Sequence, residues 1–242
     1  MTPTDRATGS ILSAMAGAGT FRLGGTIVGT NAFRLYEGEL GIRLPLGGMA
    51  NTGDIDIAQF EKLSVALQDQ VDPGLAETFS ALKFAPLPGL DNGRTWRWAQ
   101  GGSGQLVEFL TPAFGNETIR DLPALGVGAQ ALNYLNFLIA EPIFAAALYR
   151  SGVLVQVPRP ERYAIHKLII ADRRCDGAGS LKSAKDREQA AFLIEAMAED
   201  RPDDLAQAYA TALEVGPRWR AHIDNSLKRM PETKSILESL GA

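Results

Sequence analysis

The stretch NTGDIDIAQF (residues 51–60) sets two carboxylates, Asp54 and Asp56, two residues apart in an apolar run. Side chains of a strand alternate faces, so Asp54 and Asp56 share one face while Ile55 and Ile57 share the other. This pattern demands a sheet with one buried face. It also places two like charges about 7 Å apart along the strand. They repel unless water or a cation lies between them. Two readings follow: an amphipathic strand with one wet face, or a pair of ligands for a hard cation.

Two further features bear on the choice. Glu108 in QLVEFLTP is the only charge of an apolar strand, between Val107 and Phe109. It is either an outward residue on an edge strand or a carboxylate that needs a partner or a metal. Gly24-Gly25-Thr26 is expected at a strand-to-helix passage. Glycines there let backbone approach a phosphate, and a helix N-terminus supplies N–H groups to an anion. Its plain alternative is a pair of turn or packing glycines. Three carboxylates on two neighbouring strands can hold one or two Mg²⁺ (or Mn²⁺) ions, which take oxygen ligands and are shared with substrate phosphates.

Along the chain, ILSAMAGAG reads as a short helix and TFRLGGTIVG as a β-rich run interrupted by glycines. TNAFRLYEGELG has helical spacing with a stop at Gly41. IRLPLGGMANTG is a Pro/Gly loop. Residues 61–83 read as helix broken at Asp72-Pro73-Gly74, and LPGLDNG as a turn cluster. RTWRWAQ and QLVEFLTP form a hairpin around GGSG, and FAAALYRSGVLVQVP reads as a second one turning at 150–152, with a helix as the alternative for its first arm. From Pro160 onward the periodicity is helical throughout. The expected organisation is an α/β domain over 1–158, a mixed sheet with helices on one face, followed by a helical domain over 159–242.

Composition narrows the functional class. A net charge of -4 gives no global basic field for nucleic acid. Cys175 is the single cysteine, which excludes an internal disulfide framework and suits a reducing cytoplasm. The two histidines, His166 and His222, show no zinc-site spacing with it. No apolar run approaches a membrane span, and MTPTDRATGS has no apolar signal core. GAGTFRLGG lacks the preceding strand and the glycine spacing of a dinucleotide-binding turn.

The combination of Gly-Gly-Thr, a helix, the strand TGDIDI and a later strand carboxylate resembles the DNA polymerase β-like nucleotidyltransferase superfamily. GGTIVGTNAFRLYEGELGIRLP before TGDIDI, and VPRPERYAIHKLIIADRR before KSAKD, resemble bacterial nucleotidyltransferase-like proteins. They are similar as well to abortive-infection toxin nucleotidyltransferases. Thr26 stands where serine is usual, and Glu108 where aspartate is commoner. The resemblance spans residues 20 to 195 and implies a polymerase β-like mixed sheet. It further implies transfer of a nucleoside monophosphate from a nucleoside triphosphate to an acceptor hydroxyl of RNA (tRNA included), a protein or a small molecule. Asp54, Asp56 and Glu108 would then be the catalytic metal ligands, and Gly24, Gly25, Thr26, Lys167 and Asp186 the nucleotide-binding residues. The alternative is a regulatory or toxin–antitoxin binding module on the same fold.

The residues themselves leave other readings open. Lys167, among Tyr163, Ala164, Leu168, Ile170 and Ala171, either snorkels to water or reaches a buried anion. Asp186 could pair with Lys182 one turn earlier. His166 reads as a surface or hydrogen-bonded histidine. Arg173, Arg174, Lys182, Lys185 and Arg187 make a local basic segment. Trp96 and Trp98 either stack a base or pack in the core.

Overall fold

The computed structural model describes residues 1–45, 50, 52–88 and 94–241. The chain divides into two compact units, one comprising Met1–Leu44 and Ala50–Pro158, the other formed mainly by Arg159–Ala242.

The first unit is built on a mixed sheet. Helix α1 (Arg6–Gly17) leads through a turn into β1 (Thr26–Val28), and α2 (Gly29–Leu40) follows without a break. Strand β2 (Asp54–Ala58), helices α3 (Glu61–Ala66) and α4 (Leu75–Ala81), and strands β3 (Phe84–Pro86), β4 (Arg97–Gln100) and β5 (Leu106–Ala113) come next. The hydrogen-bonded order is β1-β2-β5-β4-β3. Only the β2–β5 neighbours in that path are parallel; β1, β4 and β3 run antiparallel to their neighbours.

One face of this sheet is core. Ile55, Ile57, Val107 and Phe109 are at most 1% exposed. Trp98 of β4 meets Phe109 edge-on with ring centroids 5.4 Å apart, and Phe79 of α4 covers both. Trp98 is therefore a packing residue.

The sheet continues with two strands that the sequence pattern does not announce. β6 (Ile119–Leu122) pairs antiparallel with β7 (Val127–Asn133), and β7 adds parallel to the end of β5, Leu110 opposite Gln130. VGAQALN and IRDL are short and weakly alternating, so pairing rather than local pattern makes them strands. A short helix α5 (Leu135–Leu138) precedes the hairpin β8 (Ile143–Ala147) and β9 (Val153–Val157). That hairpin turns where the Ser151-Gly152 signal places it, with Gly152 at φ 95°. The tip of the β4–β5 hairpin likewise lies in the glycine-rich stretch 101–104. Gly41 ends α2 in the left-handed conformation, φ 67°, as its position after the last apolar residue demands. The turn cluster LPGLDNG and the loop IRLPLGGMANTG lie in part outside the described residues.

The second unit is helical: α6 (Pro160–Arg173), α7 (Ser180–Asp200), α8 (Pro202–Glu214), α9 (Pro217–Leu227) and α10 (Pro231–Ser239). Four of these start with proline at the first turn, where its missing N–H has no intrahelical partner to lose. Helix α6 is central and packs on α7, α8 and α9. Among the described residues no helix is long and apolar enough to cross a membrane.

Candidate functional site

β2 and β5 bring the three sequence-predicted acids to one face. In the parallel register Asp56 stands opposite Glu108, and Asp54 opposite Leu106. Neighbouring strands lie about 4.8 Å apart and directly opposite residues share a face. Asp56 and Glu108 are therefore side by side, with Asp54 two residues back along β2. All three are half-buried, while the alternate residues Ile55, Ile57, Val107 and Phe109 are fully in the core. Glu108 is not on an edge: β2 and β4 flank its strand.

The glycine motif is placed differently from the sequence expectation. Gly24 and Gly25 precede β1 rather than linking a strand to a helix, and Thr26 is the first residue of β1. Gly24, at φ 91°, packs under Leu63, and a Cβ at Gly25 would come within 2.8 Å of the Thr20 carbonyl oxygen. Gln59 Nε2 donates to Leu23 O at 2.6 Å and fixes the same turn. The Thr26 hydroxyl faces Gln156 Oε1 at 3.3 Å and Gly24 O at 3.4 Å. These are turn and packing glycines. The cause is the shortness of β1, which begins at Thr26 instead of ending there.

The strand-to-helix passage of this sheet is three residues further on, at Val28-Gly29-Thr30. Gly29 opens α2 with φ 65°, and a Cβ there would collide with Asp56 Oδ2. Val28 caps α2 without a side-chain hydrogen bond. Asn31, 5% exposed, donates from Nδ2 to Asp54 O at 2.6 Å and pins the first turn of α2 to β2. The first N–H groups of a helix lack intrahelical acceptors and attract anions. Gly29, Thr30 and Asn31 are thus candidate site residues that the sequence reading missed. The signal was present, because GGTIVGTN carries two Gly-Thr steps and only the second precedes the helical periodicity.

Lys167 and Asp186 belong to the helical unit and meet each other there. Lys167 Nζ lies 2.5 Å from Asp186 Oδ1, and Arg174 Nη1 is 3.0 Å from Oδ2. The side chains of Lys167 and Asp186 are 10% and 4% exposed. Lys167 does not snorkel, and Asp186 pairs with Lys167 of α6 and with Arg174 just after that helix. The Lys167 ammonium also stands 5.2 Å from the Tyr163 ring centroid. His166 is buried instead of superficial, and its Nε2 has no hydrogen-bond partner among the described residues. Burial first, then the charges of Lys167, Arg174 and Arg173, pushes its pKa down to about 3.

The donor set of β2 and β5 consists of carboxylate oxygens, which suit a hard divalent cation. Among the described residues no group of three or more His, Cys, Asp or Glu is drawn together tightly enough to form a ready metal cage. Mg²⁺ is commonly held by one or two carboxylates with water and substrate phosphate oxygens completing its shell, and Asp54, Asp56 and Glu108 are the residues that could supply such carboxylates. A cleft of about 650 Å³ lined by Phe84, Trp98, Arg94, Thr95 and Asp121 contains none of the three acids; its β4 residue Trp98 is on the opposite face from them.

A solved structure of an antigenic nucleotidyltransferase-like protein from Paracoccidioides brasiliensis has a similar fold, with a TM-score of 0.50 and 14% sequence identity. The match covers 98% of this chain and 95% of that one. A search of curated proteins finds no match. A family model described as nucleotidyltransferase matches residues 6–214. The chain belongs to that nucleotidyltransferase family.

Proposed function

We propose that the protein transfers a nucleoside monophosphate from a nucleoside triphosphate to an acceptor hydroxyl. The observation that carries this reading is the register of Asp56 with Glu108, beside the first turn of α2 where Gly29 packs against the Asp56 carboxylate. Carboxylates and a helix N-terminus in one place favour a ligand that brings both cations and phosphates.

In this reading Asp54 and Asp56 would hold Mg²⁺, which would supply charge neutralisation for the triphosphate and the leaving pyrophosphate. The Thr30 N–H and hydroxyl at the start of α2 grip the β- and γ-phosphates, taking the role first assigned to Gly24–Thr26. Glu108 orients the acceptor hydroxyl and accepts its proton as the oxygen attacks. The acceptor oxygen forms its bond to the α-phosphorus as the bond from that phosphorus to the bridging oxygen of pyrophosphate breaks. Positioning and electrostatics are sufficient for such a transfer. Lys167 and Asp186 are assigned to the stability of the helical unit, since each already satisfies the other's charge.

The test is incubation with Mg²⁺, a cell extract and each α-labelled triphosphate in turn. Label should appear in a macromolecule or small product, with pyrophosphate released, and the Asp54→Asn/Asp56→Asn protein should give none. RNA and protein are the first acceptors to examine, given the sequence resemblance to abortive-infection toxins. Wild-type protein that releases no pyrophosphate with any triphosphate and extract would sink the proposal.

A further inference from the structure

The row of ionisable side chains on the wet face of the sheet does not stop at Glu108. Across the antiparallel β4–β5 ladder Glu108 stands opposite Arg97, just as it stands opposite Asp56 across β2–β5. Directly opposite residues share a face, so Asp56, Glu108 and Arg97 form one line, about 4.8 Å per strand. The first turn of α2 lies at the Asp56 end of that line. Arg97 closes the other end.

Packing does not account for Arg97. The core contribution of β4 comes from its neighbour Trp98, 4% exposed. The Arg97 guanidinium lies 5.0 Å from the Trp96 ring centroid, and its Nε is buried with no hydrogen-bond partner among the described residues. Arg97 is half-buried, and a buried N–H left without an acceptor marks a side chain that the protein's own hydrogen bonds do not fully satisfy. A planar fork held against an indole presents two parallel N–H groups, a geometry that matches phosphate oxygens better than a lysine does.

We infer that Arg97 binds a phosphate carried by the acceptor, next to the hydroxyl that attacks; the acceptor is a phosphate-bearing alcohol. This rests on the transfer reading above. If the triphosphate lies at the α2 end, its phosphates are two strands from Arg97, about 10 Å. In an in-line displacement the attacking oxygen and the leaving pyrophosphate stand on opposite sides of the α-phosphorus. The acceptor therefore enters from the Glu108–Arg97 end, where a guanidinium and a carboxylate stand side by side. One binds the phosphate and the other faces the hydroxyl. Two sources share this chemistry: the 3′ end of a nucleic acid and a phosphorylated small molecule.

The experiment measures dissociation constants of four probes for wild type, Arg97→Met and Arg97→Lys. The probes are a 5′-labelled single-stranded RNA with a free 3′-hydroxyl, glucose 6-phosphate, glucose, and a non-hydrolysable ATP analogue with Mg²⁺. Wild type should bind the RNA or glucose 6-phosphate better than glucose, and whichever binds identifies the source. Arg97→Met should weaken that probe at least about tenfold, the scale of a charge-assisted hydrogen bond. Arg97→Lys should recover part of the loss because it keeps the charge without the fork. Both variants should bind the ATP analogue as wild type does, which also confirms that they are folded. The inference is overturned if wild type binds neither phosphate probe, if Arg97→Met leaves their binding unchanged, or if the loss falls on the ATP analogue instead. Failure of the transfer reading looks different: the wild type itself would not bind the Mg²⁺–ATP analogue, or would bind it independently of Asp54 and Asp56.

Discussion

Gly29 and the Asp56 carboxylate pack so closely that no side chain fits between them. A Cβ at Gly29 would overlap Asp56 Oδ2, and the residue holds φ 65° at the first position of α2. The glycine thus joins the helix N-terminus to the carboxylate face.

Gly29→Ala is expected to lower stability by about 1–2 kcal/mol for the left-handed backbone alone. The overlap should also displace the Asp56 carboxylate and weaken Mg²⁺–triphosphate binding. Gly41→Ala is the control: its φ is 67°, but among the described residues nothing lies within 4 Å of a Cβ there. It should show the backbone cost in urea melts and keep ligand affinity. Equal ligand affinity in both variants would mean that Asp56 takes no part in binding.

Removing like charges that face each other should not harm the fold. Asp54→Asn/Asp56→Asn is expected to melt at the wild-type temperature or above, since it loses a repulsion. Mg²⁺ with a non-hydrolysable triphosphate should raise the melting temperature of wild type and leave that of the variant nearly unmoved. Equal shifts in the two proteins would remove the metal-pair reading.

Glu108→Gln keeps size and hydrogen bonding but cannot serve as a carboxylate. Transfer should fall by at least about 10²-fold, the usual scale for one catalytic acid or base, with nucleotide affinity largely kept. Full turnover in this variant would assign the third carboxylate elsewhere.

Lys167→Met should destabilise the helical unit rather than act on nucleotide affinity. Removing one partner of a buried ion pair costs about 3–5 kcal/mol because the other charge is stranded. Arg174 also reaches Asp186, so the lower end of that range is expected. Replacing both partners, Lys167→Met/Asp186→Leu, should restore much of the loss. A selective fall in triphosphate affinity with unchanged urea stability would instead return Lys167 to the nucleotide site.

Acid should weaken the protein through His166. Its folded pKa is about 3, against about 6.5 in an unfolded chain. Above pH 6.5 both states are neutral and its contribution is full. As pH falls from 6.5 towards 3 only the unfolded state gains the proton, so stability falls by up to about 1.4 kcal/mol per pH unit. Burial raises the pKa of Glu161, and that group works in the opposite sense, because the folded state takes up its proton first. His166→Phe should flatten the acid limb in urea titrations between pH 6 and about 4. An unchanged slope would show that His166 is protonated in the folded protein.

The sequence by itself determined the local elements whose pattern repeats. Alternation in DIDIA and LVEFL made strands with an acidic face, Ser151-Gly152 and GGSG made hairpin turns, and the 3.6-residue spacing after Pro160 made helices. Periodicity states which face a side chain takes, because that depends only on the residue's own backbone. It does not state which strand lies alongside. The placement of Glu108 against Asp56 and Arg97, and the addition of β6 and β7 to the end of β5, follow from ladder pairing between residues up to about fifty positions apart. The two Gly-Thr steps look alike in sequence. Only the closed sheet decides that the second meets Asp56 while the first packs under Leu63. In the same way Lys167 looked like a lone cation on an apolar helix until α7 brought Asp186 to within 2.5 Å of it, because burial of a charge is settled by what the rest of the chain packs around it.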